Sequence, residues 1–226
     1  MNAAHYGVPQ KRERLIMIGA ESGVKIKFPS PTHYFDGATI GFRDKRKVVS
    51  VATDNPLDEN QLLSAITVMD AISDLPKIAS GESIEIYTSA PKNDYQVNRR
   101  KNTNILQLHS STAHTEKMLE IIRYAGKNID CIPKHLITSG FSSCYSRLDA
   151  DEPSVTITVN FVHPASNRCI HPKQDRGLTP REGARIQSFD DDFQFFGNRT
   201  QIVKQIGNAV PPLLGKAIAE QVAALL

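Results

Sequence analysis

Apolar positions in this chain come in short, separate rhythms rather than one continuous pattern. Residues 14–20 run Arg-Leu-Ile-Met-Ile-Gly-Ala, an apolar stretch closed by Gly19 and a Glu-Ser-Gly turn, which predicts a buried strand. Leu62, Leu63, Ile66, Met69, Ile72 and Leu75 recur at three- and four-residue steps, predicting a helix over 59–75 that Pro76 stops. A second amphipathic helix is expected over 115–125, ending near Gly126. The alternating β-branched run Pro-Ser-Val-Thr-Ile-Thr-Val-Asn-Phe-Val, 153–162, predicts a strand. Thr179 as N-cap, Pro180 at the first helical position and Glu182 three residues after the cap form a complete capping-box signature for another helix. The last helix, 211–226, presents Leu214, Ala217, Ile218 and Val222 on one face. Residues 28–47 and 79–111 are rich in turn formers or polar groups and read as irregular.

Strands are thus few and dispersed. A lone strand at 14–20 cannot satisfy its backbone without neighbours, so this segment calls for a partner. At 226 residues, 40% hydrophobic and 23% charged, the composition is that of an ordinary globular chain. No stretch nears 18 apolar residues, so no membrane span is expected, and the polar start has no signal-peptide core. The cytoplasm is the expected location. Cys131, Cys144 and Cys169 are scattered and form no Cys-x-x-Cys, which predicts free thiols and no metal site.

The net charge of +3 is small, but its distribution changes the picture. Residues 1–50 hold nine Lys/Arg against Glu13, Glu21, Asp36 and Asp44. Residues 92–134 hold eight against Asp94, Glu116, Glu120 and Asp130. Such clusters suit a polyanion, because phosphate contacts supply most non-specific nucleic-acid affinity; a solvated surface suits them equally.

Three segments then carry a resemblance. Tyr-Gly-Val-Pro-Gln-Lys-Arg-Glu-Arg, 6–14, contains Gln-x-Arg-x-Arg at Gln10, Arg12 and Arg14. Residues 171–189 read HPKQDRGLTPREGARIQSF, and 205–222 read QIGNAVPPLLGKAIAEQV. In this order they resemble the closing motifs of the cytosine-5 DNA methyltransferases. The resemblance implies an α+β fold: a target-recognition region with few strands and short helices, flanked by remnants of an α/β S-adenosylmethionine-dependent methyltransferase domain. The implied boundaries are 1–25 for the first remnant, 26–197 for the recognition region with its supporting helix, and 198–226 for the segment returning to the catalytic domain. The two ends are expected to pack together.

The same resemblance implies site residues. Arg14 would face the carbonyl of a flipped cytosine, with Arg12 and Gln10 shaping the loop and its backbone contacts. A planar, permanently charged guanidinium suits that task. Gly207 and Asn208 would lie against S-adenosylmethionine. Between 93 and 104, Arg99, Arg100 and Lys101 are candidate base readers, although a plain exposed loop has the same composition. Arg181, Glu182 and Arg185 share one helix and read as architecture, since an i,i+4 arginine pair needs acidic partners or phosphate. The family's usual Ser-Phe-Pro is here Ser188-Phe189-Asp190, which is expected to alter only the helix exit.

The family's nucleophile lies in Pro-Cys-Gln, and none of the three cysteines follows proline. The Glu-Asn-Val and Gly-rich cofactor motifs are also missing from the sequence. The expectation is therefore a DNA-recognition portion, inactive alone, whose partners are double-stranded DNA and an N-terminal methyltransferase polypeptide carrying Pro-Cys-Gln. A free-standing, non-catalytic DNA-binding module derived from such an enzyme is the alternative. Exposed apolar surface and self-association would favour the first.

Overall fold

The computed structural model describes residues 1–35, 62–100, 103–137 and 139–224. Its strands are six short pieces: β1 (Gln10–Lys11), β2 (His33–Tyr34), β3 (Leu63–Ser64), β4 (Ser146–Arg147), β5 (Ser154–Val155) and β6 (Arg168–Ile170). They pair in parallel as β1–β5, β2–β3 and β4–β6. In β1–β5, Gln10 lies opposite Ser154 and Lys11 opposite Val155. Among the described residues six α-helices accompany them: α1 (Val68–Ile72), α2 (Asp94–Arg100), α3 (Glu116–Tyr124), α4 (Pro180–Ile186), α5 (Arg199–Asn208) and α6 (Pro212–Ala223).

The main core gathers α1, α4 and α5 around Ile157, Phe161, Leu178 and Ile206. Gly183 of α4 lies directly on Phe161: a Cβ there would meet the ring at 2.2 Å. A smaller core joins Ile121 and Ile122 of α3 to Ile132 and Ile170. A third packs Ala3, Tyr6 and Val8 against Leu214 of α6, so the two ends meet as expected.

Local chemistry explains where these elements start. Thr179 caps α4 by accepting from the Glu182 N–H, while the Glu182 carboxylate accepts from the Thr179 N–H at 2.8 Å. The same reciprocal pair, Thr67 with Asp70, begins α1. That cap corrects the expected helix over 59–75. Residues 62–67 are not helical, with Leu63–Ser64 drawn into the ladder with β2, and the helix proper starts only at Val68; residues 59–61 lie outside those described.

Three further readings are corrected. Residues 14–20 form no strand among the described residues; they lack regular secondary structure and are largely open, with Leu15 at 85% and Met17 at 86% exposure. The 153–162 strand shrinks to β5, because the chain turns at 159–162. Residues 94–100, read as an irregular stretch, form α2, and its inward face is polar: Gln96 and Arg99 are buried beside Tyr95. Helices α3, α4 and α6 lie where the sequence placed them. Among the described residues no helix is long and apolar enough to cross a membrane.

Candidate functional site

The N-terminal segment doubles back on itself before it reaches the site. The Ala3 N–H donates to the Arg12 carbonyl at 2.9 Å, and the Arg14 N–H donates to the Met1 carbonyl at 2.9 Å. This pairing fixes the backbone at Arg12 and Arg14.

Gln10 and Arg12 point inward. The Gln10 Nε2 donates to the Gln187 Oε1 at 3.0 Å, and its Oε1 accepts from the Ile157 N–H at 3.1 Å. The Arg12 guanidinium donates to the carbonyls of Ile157 at 3.2 Å and Gly207 at 3.1 Å. Arg12 is 4% exposed and no carboxylate faces it among the described residues. Burial, with Arg14 nearby, pushes its pKa down to about 10. A buried cation solvated by carbonyls clamps segments together and has little surface left to offer a ligand.

Arg14 is the opposite case. Its side chain is exposed, one N–H donates to the Glu13 carbonyl at 2.6 Å, and the other donors face solvent. Of the Gln-x-Arg-x-Arg triplet, Arg14 alone presents its guanidinium outward.

The Gly-Asn pair closes α5. Gly207 is explained by packing: a Cβ there would lie 2.5 Å from the Thr158 carbonyl oxygen, so the helix and the 157–159 segment touch backbone to backbone. Asn208 is exposed, and its amide has no hydrogen-bond partner among the described residues. Its donors and its acceptor are therefore open to solvent.

Beneath these segments lies a dense ion network. The Arg185 guanidinium donates to both oxygens of Asp191 at 2.6 Å and to Asp74 at 3.2 and 3.3 Å. Burial alone would lower its pKa, but Asp191 and Asp74 hold it above the ordinary value. Arg181 is fully buried beside Asp191, and the Tyr87 hydroxyl donates to the same carboxylate. Arg176 forms a two-point bond to Glu182 at 2.6 and 2.8 Å, which keeps that carboxyl well below the usual range despite its burial. Arg181 and Arg185 thus find the acidic partners that their spacing demanded.

Arg99 and Arg100 also turn inward. Arg99 donates to the Ser188 carbonyl at 2.6 Å and faces Asp190 at 3.0 Å. Arg100 donates to Asp74 at 3.3 Å and to the Ser89 carbonyl at 2.8 Å, and lies over the Tyr87 ring. The aspartate that replaces the family's proline therefore does more than alter a helix exit: it anchors α2. Lys101 lies outside the described residues. Sequence reasoning gave no role to Gln187, which touches both Gln10 and α5, although it is a fixed position of the 171–189 motif.

Comparison with known proteins now bears on this geometry. The profile of the C-5 cytosine-specific DNA methylases matches residues 1–224. The chain belongs to that family. It is similar to the type II methyltransferase M1.HphI of Haemophilus parahaemolyticus, 35% identical over 98% of this chain and 46% of that protein. M.DdeI of Desulfomicrobium norvegicum is 32% identical over 98% and 52%, respectively. M.AgeI of Thalassovita gelatinovora is 30% identical over 98% and 64%. The chain thus spans about half the length of the first two. Its fold resembles that of a solved E. coli chain, encoded within a prophage and assigned as a DNA modification methyltransferase. The TM-score is 0.65 at 22% identity, covering all of this chain and 58% of that one.

Proposed function

We propose that this chain is the DNA-recognition portion of a cytosine-5 DNA methyltransferase, which holds double-stranded DNA and the flipped cytosine for methylation. The carrying observation is the division of labour within Gln-x-Arg-x-Arg: Gln10 and Arg12 are spent on internal bonds, and Arg14 is left facing outward on a pinned backbone. Arg14 is the residue assigned to the base carbonyl or the adjoining phosphate. The buried, uncompensated charge of Arg12 adds to the positive field behind it. We leave Arg99 and Arg100 out of the DNA-contact set, because their guanidinium groups are committed to Asp190 and Asp74.

The cofactor, S-adenosylmethionine, supplies the methyl group when bound. Asn208 fits it through its unengaged amide, whereas Gly207 is accounted for by Thr158 and holds α5 close to the recognition segment. No cysteine here follows proline, so the nucleophile is assigned to a catalytic half carrying Pro-Cys-Gln, on the same or another polypeptide. The open apolar residues Leu15 and Met17 favour this reading over a free-standing module, since such surface asks to be covered.

The test is binding of a fluorescent cytosine-containing duplex to the chain at several salt concentrations. Affinity should fall steeply with salt, and Arg14→Ala should weaken it about tenfold, the scale of one lost arginine contact. Absence of binding even at low salt would overturn the reading.

A further inference from the structure

Two fully buried amides, Gln10 and Gln187, tie together four stretches of the chain. Gln187, just past the end of α4, uses its Oε1 to accept from the Gln10 Nε2 at 3.0 Å. Its Nε2 donates to the Ile206 carbonyl at 2.7 Å, in the last turn of α5. Gln10 in turn receives the Ile157 N–H at 3.1 Å. One arm of the Gln187 amide thus ends four residues from Arg14, the other two residues from Asn208. The Ile206 carbonyl also accepts the Ala209 N–H at 3.3 Å, so the Gln187 donor adds a second, shorter bond at the helix end. An apolar residue of the same size would fill the space equally well. Only a group that accepts on one side and donates on the other can align both segments at once.

Resting on the function proposed above, we infer that Gln187 is a positioning residue, which sets the spacing between the outward arginine, Arg14, and the outward amide, Asn208. It contacts neither DNA nor cofactor; it acts through Gln10 on one and through the end of α5 on the other. The Arg12 guanidinium, reaching the Gly207 carbonyl at 3.1 Å, runs in parallel with it.

The two arms can be cut separately. Gln187→Met removes both bonds. Gln187→Glu keeps the acceptor for Gln10 but loses the donor to Ile206. Gln10→Met cuts the other arm and leaves the Ile206 bond. Hydrogen exchange on the chain alone should then speed up about tenfold in both 10–14 and 206–209 for Gln187→Met. It should speed up only in 206–209 for Gln187→Glu, and only in 10–14 and around Ile157 for Gln10→Met. In the enzyme completed with its catalytic half, Gln187→Glu should raise the Kd for S-adenosylmethionine about tenfold and leave that for duplex DNA within twofold. A uniform rise in exchange across all three variants would show a merely structural role and overturn the inference, as would no change in Gln187→Met. Should Gln187→Met fail to fold, the opposed patterns of Gln187→Glu and Gln10→Met decide it. The exchange pattern needs no ligand, so failure of the wild-type chain to bind DNA would remove the proposed function without deciding this point.

Discussion

Helix α4 and the segment following Arg14 are both announced in sequence by clustered arginines, yet they end in opposite surroundings. In and beside α4, Arg176, Arg181 and Arg185 are 0% exposed, each facing Glu182, Asp191 or Asp74. At residues 14–17 the arginine is in solvent, and Leu15 and Met17 follow it there. The difference lies in what the fold brings to meet them. Asp74 and Asp191 come from segments more than a hundred positions apart, and no periodicity foretells their meeting with Arg185. The arginines thus divide into those that meet a carboxylate, those held by carbonyls as Arg12 is, and Arg14, left in solvent. On that division rests the proposal of Arg14, and not Arg99 or Arg100, as the DNA contact.

The comparison can be broken hardest at Asp191. Asp191→Ala leaves Arg181 and Arg185 buried with fewer partners and should cost about 3–5 kcal/mol in denaturant unfolding. A loss below 1 kcal/mol would mean the hub is not held by its charges. Gly183→Ala tests the hub's packing instead. Its Cβ must push the Phe161 ring, and overpacking of this kind should cost about 1–3 kcal/mol with no change in net charge.

Acid should dismantle the hub and spare the open segment. Burial holds the His171 pKa at about 4 against an ordinary 6.5, so the unfolded chain takes up the proton first as pH falls. Stability from His171 is complete above pH 6.5 and lost on the way down to pH 4. His109 is lowered for the same reason, and Glu182, held below its ordinary 4.5, adds a further loss beneath that pH. Urea midpoints should fall from pH 7 to pH 4, and more shallowly in His171→Gln; a flat wild-type profile would contradict this.

The smallest and sharpest contrast lies two residues apart. Arg12→Ala should destabilise the fold by about 1–3 kcal/mol, because it leaves buried carbonyls of Ile157 and Gly207 short of a donor. Arg14→Ala should change stability by less than about 0.5 kcal/mol, as an exposed substitution does, while weakening DNA binding. Equal thermal shifts in the two variants would erase the distinction.

What could be read in advance follows the same division. Helix α4 was legible to its capping residues because Thr179, Pro180 and Glu182 act within one turn. The ends of the chain were placed together because their motifs and apolar faces were both visible. Helix α2 escaped notice because its buried face is Tyr95, Gln96 and Arg99, so hydrophobic periodicity had little to detect. The helix expected over 59–75 was overextended because Leu62, Leu63 and Ile66 keep a helical rhythm while tertiary pairing draws Leu63 into a strand. Within the site, Arg14 and Asn208 were legible as motif positions. The inward turn of Gln10 and Arg12 depended on contacts 145 to 195 residues away in sequence, and Gln187, itself a motif position, on one contact 177 residues away and another 19 away.

The central claim is that this chain recognises DNA and depends on a catalytic half for its chemistry. Transfer of a tritiated methyl group from S-adenosylmethionine to DNA tests it most directly, first with the chain alone and then with a half carrying Pro-Cys-Gln. The account predicts no transfer by the chain alone, and transfer that depends on Arg14 once the second half is present. Turnover by the isolated chain would contradict it, and would require a nucleophile among Cys131, Cys144 and Cys169.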